Sequence, residues 1–162
     1  MTLPQVRLRA ATATDELLLF AIYAASRAEE LALVPWADEQ KAAFVRQQHQ
    51  AQSSSYRSRH PDAEFLVIEL IDGRAIGRLY RARVGTDEVR LLDIALLPEW
   101  RGRGIGSMLL GEMVATANAS GDMVSLHVEA WNPAVHLYER LGFVEAGRND
   151  VHIRMEHRSP PS

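Results

Sequence analysis

Arg101-Gly102-Arg103-Gly104-Ile105-Gly106 gathers three glycines and two arginines into one short segment, between an apolar strand-like run and an apolar helix-like run. A strand, a glycine loop and a helix start together make a seat for phosphate. The first turn of a helix leaves backbone N–H groups unpaired and carries partial positive charge. Glycine lets the backbone approach a ligand where a Cβ would collide. Two guanidinium groups add charge and paired donors for phosphate oxygens. The chemistry indicated is a grip on a phosphorylated cofactor. A dinucleotide fingerprint needs G-x-G-x-x-G, and the third glycine position is Ser107; a P-loop needs G-K-[ST], which does not occur.

Downstream lie residues that can move protons. Val124, Leu126 and Val128 alternate with Ser125, His127 and Glu129, so a strand over 123–130 has one polar face near the loop. Asn132, Pro133 and Gly142 bracket a short helix carrying Tyr138, with Asn132 expected as its N-cap and Gly142 as its C-cap.

These motifs resemble one family. Arg101-x-x-Gly104-x-Gly106 looks like the acyl-CoA pyrophosphate loop of the GNAT-type N-acetyltransferase superfamily. Ile94-Ala95-Leu96-Leu97-Pro98 resembles the strand that family sets beside the pantetheine arm. Asn132-Pro133-Ala134 and Leu137-Tyr138-Glu139-Arg140-Leu141-Gly142-Phe143 resemble its other recurrent motif. The resemblance is sharp over residues 89–143 and diffuse before them. It implies acetyl-CoA as cosubstrate. The cofactor would be gripped by Arg101, Gly102, Arg103, Gly104, Ile105, Gly106 and Ser107, by backbone of Ile94, Ala95 and Leu96, and by Asn132 and Tyr138. It also implies direct attack by an amine in a ternary complex, between strands that splay apart before the loop.

Such an enzyme must take a proton from the amine and return one to the departing thiolate. Tyr138 is the candidate acid, because a phenol with pKa near 10 stays protonated at neutral pH. Glu129 is the candidate base. Asp93 is a further carboxylate in the strand before the loop, while His127 reads more readily as a satisfied strand histidine. Many relatives carry a glutamate early in that strand, and the corresponding residue here is Arg90. Glu29, Glu30 and Trp36 fall where the family roofs its acceptor site and are the candidate substrate-binding residues. Alternatives are transfer of a longer acyl group, or a catalytically inactive module that binds or senses acyl-CoA.

The elements that must position these residues follow from pattern. A short strand over 6–9 precedes a helix capped by Thr14 or Asp15 and running to about 27. A second helix runs from 37 or 38 to about 56, its polar later part prone to fray, and ends at His60-Pro61. Strands over 64–71 and 75–84 form a hairpin about Asp72-Gly73, followed by a strand over 88–97. In the helix over 105–119, Leu109, Leu110, Met113, Val114 and Ala117 share one arc and form core. Closing strands span 143–147 and 151–156. The strand–helix–strand unit from 91 to 128 requires a parallel pair. The expected fold is mixed α/β (α+β), one domain over 3–158: a central, mostly antiparallel sheet of about seven strands with one parallel pair, flanked by about four helices. Residues 159–162 are expected to be a disordered tail.

Composition sets outer bounds. The 162 residues suit one domain with a proper core. With 47% hydrophobic and 24% charged residues and a net charge of −3, bulk electrostatics gives nucleic-acid binding no support. With no cysteine, disulfides, thiolate metal sites and a cysteine acyl-enzyme are excluded. The scattered histidines predict no metal site. No apolar run long enough for a signal peptide or membrane span occurs, so a cytoplasmic protein away from membranes is expected. The expected partner is a small-molecule or peptide amine, and the resemblance also allows a homodimer.

Overall fold

The computed structural model describes residues 3–159. In chain order the elements are β1 (Val6–Ala10), α1 (Glu16–Ala32), α2 (Asp38–Arg59), β2 (Glu64–Leu70), β3 (Ala75–Val84) and β4 (Glu88–Leu96). Then come α3 (Ile105–Ala119), β5 (Met123–Glu129), α4 (Ala134–Arg140), β6 (Val144–Arg148) and β7 (His152–His157). Single 3-10 turns, Ala13–Asp15 and Pro98–Trp100, precede α1 and the glycine loop. One seven-stranded sheet results, in the order β1-β2-β3-β4-β5-β7-β6. Every neighbouring pair is antiparallel except β4 and β5, which are parallel. This is the mixed sheet expected from the sequence.

The period-2 pattern divides the sheet into two faces. Leu66 and Ile68 of β2 and Val124, Leu126 and Val128 of β5 join Ile105, Leu109, Leu110 and Met113 of α3 in the main core. Tyr138 and Phe143 close that core at the α4 end. On the opposite face Val67 and Tyr80 are buried, as are Leu19, Ile22 and Tyr23 of α1 and Val45 of α2. The first strands are locked by charge to the 3-10 turn that leads into α1. Arg9 donates to both Asp15 oxygens at 2.8 and 2.9 Å and to Glu69 at 2.7 Å, and Arg7 meets Glu69 at 2.5 Å. Arg9 holds the Asp15 carboxyl well below the usual carboxylate range, and Arg9 with Arg7 lowers that of Glu69.

Three elements differ from expectation. α1 runs on to Ala32, because Ala28, Glu29, Glu30 and Leu31 are all strong helix formers and the first strong breaker is Pro35. α2 stays helical to Arg59, with the His60 N–H bonded to Tyr56 O at 2.8 Å. Its polar stretch does not fray, because the inner side is tethered: His49 is buried, Gln52 accepts from Arg78 at 3.1 Å, and Tyr56 donates to Leu92 O at 3.1 Å. α4 starts at Ala134 with Pro133 as the flanking residue, yet the Asn132 side chain still accepts the Ala134 N–H at 2.9 Å. The expected tail lies, beyond residue 159, outside the described residues. Among the described residues no helix is long and apolar enough to cross a membrane.

Candidate active site

The site begins with a fault in β4. Asp93 pairs with Tyr80 and Leu91 with Arg81, so Leu92 is an extra residue bulged out of the β3–β4 ladder. Tyr56, reaching from α2, donates to the bulged carbonyl of Leu92. On the other side of β4, pairing with β5 runs only from Glu88↔Met123 to Leu91↔Leu126. Beyond that point the two strands part, as the family resemblance implied. The result is a fork whose arms are residues 92–96 and 127–129, with backbone groups facing the gap rather than each other.

At the mouth of the fork sits the glycine loop. Gly102 and Gly104 adopt φ of +71° and +85°, a region open to glycine and strained for other residues, and Gly104 is the N-cap of α3. The N–H groups of Ile105, Gly106 and Ser107 therefore open the helix without intrahelical partners. A Cβ built on Gly106 meets nothing within 4 Å, so the approach to these donors is open. Both arginines are oriented from behind. Arg101 Nε donates to Leu96 O at 3.1 Å and Arg103 Nε to Glu99 O at 3.0 Å, while the Arg103 guanidinium lies 4.7 Å from the Trp100 ring centre. The terminal nitrogens remain for an anion. These residues fit a pyrophosphate.

α4 carries Tyr138 to the fork. The helix ends in a Schellman arrangement: Gly142, at φ +99°, donates to Glu139 O at 3.0 Å and Phe143 to Tyr138 O at 3.0 Å. The Tyr138 ring packs edge-on against Phe143 at 5.8 Å. Burial, then the charges of Asp93 and Glu129, push the Tyr138 hydroxyl up to about 12. It has no hydrogen-bond partner and is not sealed from solvent, among the described residues. Glu129 accepts from Asn132 Nδ2 at 3.2 Å. Burial opposes the charge of Glu129, but the Asn132 amide, its own backbone N–H, Arg27 and His152 outweigh it and hold the carboxyl below its ordinary value. Asp93 is ion-paired with Arg78, whose side chain is only 3% exposed.

The structure thus brings Tyr138, Glu129, Asn132 and Asp93 to one fork. Glu30 lies on α1 and pairs with Arg27 at 3.3 Å, and Arg27 in turn acts on Glu129. Glu29 is exposed and, among the described residues, has no ion pair. Trp36 instead packs edge-on against Phe44 at 5.3 Å, in the link between α1 and α2. A recess of about 320 Å³ lined by residues including Glu16, His49, Arg57 and Tyr80 contains no residue of the loop or the fork. Sequence reasoning passed over Arg78 and Tyr56. Arg78 had a visible signal, an arginine between Gly77 and Leu79 in the apolar first half of β3; the reach of Tyr56 to a bulge had none.

The Acetyltransferase (GNAT) family model matches residues 22–143, and the chain belongs to that family. It is 33% identical over 99 residues to the [ribosomal protein bS18]-alanine N-acetyltransferase of Haemophilus influenzae, covering 60% of this chain and 64% of that protein. The Salmonella typhimurium protein of the same name is 34% identical over 84 residues, covering 51% and 57%. The chain therefore spans less than two thirds of the length of these relatives. Among solved structures, the PaiA N-acetyltransferase of Thermoplasma acidophilum in complex with coenzyme A superposes with a TM-score of 0.71 at 20% identity, covering 95% of this chain and 99% of that one. The spermidine N-acetyltransferase of Vibrio cholerae in complex with CoA and spermine gives 0.64 at 22% identity, covering 96% of both. These two establish likeness of fold.

Proposed function

We propose that the chain transfers an acyl group, acetyl by default, from acetyl-CoA to a primary amine by direct attack in a ternary complex. The observation that carries this is the juxtaposition of an open β4–β5 fork, a donor-rich glycine loop at its mouth and an unbonded Tyr138 hydroxyl beside it. Residues 101–107 hold the pyrophosphate, with Arg101 and Arg103 adding charge. Backbone groups of Ile94, Ala95 and Leu96 pair with the pantetheine amides, as an added strand would. Asn132 contacts the same arm while Glu129 fixes its amide. Glu29, Glu30 and Trp36 border the acceptor entrance.

The elevated Tyr138 value refines its part. Full proton transfer from a phenol near 12 to a thiolate whose thiol has a pKa near 8.5 is uphill by about 5 kcal/mol. Tyr138 therefore donates to the sulfur as the C–S bond breaks, and its oxygen recovers a proton from the nitrogen of the collapsing adduct. Elevated basicity of the phenolate favours that second half. The relatives' names include both an alanine N-acetyltransferase and a spermidine N-acetyltransferase, so amines of either kind are represented. The test is thiol release from acetyl-CoA against a panel of peptides, polyamines and lysine-bearing proteins. Release of CoA thiol with stoichiometric amide formation supports the reading; CoA binding with no release against any member supports an inactive acyl-CoA-binding module.

A further inference from the structure

We infer that the recess between α1, α2 and the first strands is a second small-molecule site, shaped for a zwitterionic aromatic amino acid. It shares no residue with the glycine loop or the fork, so it stands apart from the acyltransferase reading. Two helices and two strands build it. His49, Ser53 and Arg57 follow one another at four-residue steps on α2, so they form one stripe about 12 Å long. Glu16 and Leu19, in the first turns of α1, line the recess beside them, and Phe65 of β2 with Tyr80 of β3 forms the floor. The space enclosed is about 320 Å³, at the small end of the range for ligand pockets.

The stripe changes character with depth. Arg57 is exposed, Ser53 is half-buried, and His49 is only 7% exposed. The His49 ring packs against those of Phe20 and Tyr23, with centres 5.6 and 5.4 Å away. Its Nδ1 is sealed from solvent without a hydrogen-bond partner; Nε2, among the described residues, is equally unbonded but not sealed. A polar ring this deep is ordinarily paired, and leaving it unpaired costs stability. The Ser53 hydroxyl is also unbonded among the described residues. Burial, then the Arg78 charge, hold the His49 pKa below its ordinary value against the opposing pull of Glu16, so the ring is neutral at pH 7. The inner end thus offers one uncharged donor or acceptor, the middle a hydroxyl, and the floor two aromatic rings 5.0 Å apart.

Each feature selects among ligands. The Arg78 guanidinium lies 5.1 Å from the Tyr80 ring centre and its charge is felt at His49, so a cation at the inner end would meet like charge and lose its hydration. That excludes a polyamine. At the mouth Glu16 and Arg57 stand 3.7 Å apart, both more than half exposed. This pair suits a zwitterion, with Arg57 donating to a carboxylate while Glu16 accepts from the ammonium beside it. A lone carboxylate or a lone ammonium would instead place like charges together. The body of the ligand must be flat and apolar to fill the space among Leu19, Phe65 and Tyr80, where edge-to-face contacts are available. Its far end must carry a neutral group that bonds His49 Nε2. Tyrosine, with a phenol hydroxyl at one end and both charges at the other, meets every demand.

The experiment titrates the whole protein with L-tyrosine, following the His49 ring by NMR and the affinity by calorimetry. Binding should saturate at one molecule per chain, move the His49 resonances, and be the same with and without saturating CoA. L-Phenylalanine, which lacks the hydroxyl, should bind about twofold to tenfold more weakly. Tyramine lacks the carboxylate and should bind about twofold to fivefold more weakly, as fits a charge pair at an exposed mouth. Ser53→Leu fills the middle of the stripe without breaking a hydrogen bond; it should lower tyrosine affinity more than about tenfold and leave the Kd for CoA unchanged. Arg57→Ala, at the exposed end, leaves the core untouched and should weaken tyrosine about twofold to fivefold while leaving tyramine unchanged. No saturable tyrosine binding by the folded parent would overturn the inference. So would parent-like tyrosine affinity in Ser53→Leu or Arg57→Ala, tyramine or spermidine binding as tightly as tyrosine, or displacement of tyrosine by CoA.

Discussion

Gly106→Leu separates the loop's role in binding from its role in folding. Gly106 has ordinary helical backbone and open space in front of it, so a side chain there strains nothing. Leucine in place of glycine in α3 should stabilise the free protein by up to about 0.8 kcal/mol, roughly 2–3 °C for a chain of this length. The same side chain projects into the path of a pyrophosphate approaching the N–H groups of Ile105–Ser107. Losing two charge-assisted hydrogen bonds at about 1.5–3 kcal/mol each weakens CoA binding about a hundredfold to ten-thousandfold. At a CoA concentration of about 100 times the parent Kd, binding stabilises the parent by about 2.7 kcal/mol, roughly 5–11 °C in Tm. A hundredfold loss leaves about 0.4 kcal/mol, about 1–2 °C. Thermal denaturation with and without CoA reads both effects, of opposite sign, in one titration. A folded Gly106→Leu protein with the parent's CoA-dependent shift would remove the loop from cofactor binding. Gly104→Val is a poorer test, because φ is +85° there and the new Cβ would lie 2.9 Å from Leu3 Cδ2, so the fold itself is strained.

Tyr138→Phe keeps the ring against Phe143 and should lower kcat about a hundredfold to ten-thousandfold with CoA affinity unchanged; an acyl donor with a more acidic leaving thiol should recover part of the loss in a single-turnover assay. Glu29→Gln with Glu30→Gln should raise the KM of a cationic acceptor and leave CoA affinity alone, and the difference should shrink in high salt as charges are screened; unchanged KM values would return both residues to a solvated helix face. Asp15 and Glu69 have folded-state pKa values below their unfolded ones, so their contribution to stability is complete only above about pH 5, past both unfolded values, and is lost as pH falls through the folded values. Urea midpoints between pH 2 and 7 should show that decline, and Asp15→Asn should lower stability by about 1–3 kcal/mol at pH 7 and flatten the acid limb.

The glycine loop, the Asp72-Gly73 hairpin, α3 and the α4 cap were legible because each rests on local chemistry: a turn that needs positive φ, an amphipathic arc, a helix stop. The extent of α1 was legible too and was underestimated, since only Pro35 is a true breaker after Arg27. What could not be read is what distant residues do to one another. The bulge at Leu92 exists because Tyr80 and Arg81 skip a partner on another strand. The burial of Arg78 depends on Asp93 and Gln52 coming from two other elements.

The fork has a further consequence for how this protein tolerates change. The groups that line it on β4 are main-chain N–H and C=O of residues 92–96, while Ile94 and Leu96 turn their side chains into the main core. Under the proposed function, recognition of the pantetheine arm is thereby uncoupled from amino-acid identity on that arm of the fork. Side chains can drift to suit the core without altering the grip. Only a substitution that deletes an N–H itself, proline at a gap-facing position, attacks it directly. Selection on cofactor binding then falls on the bulge, the glycines and the parting of two strands, which are properties of the chain's path.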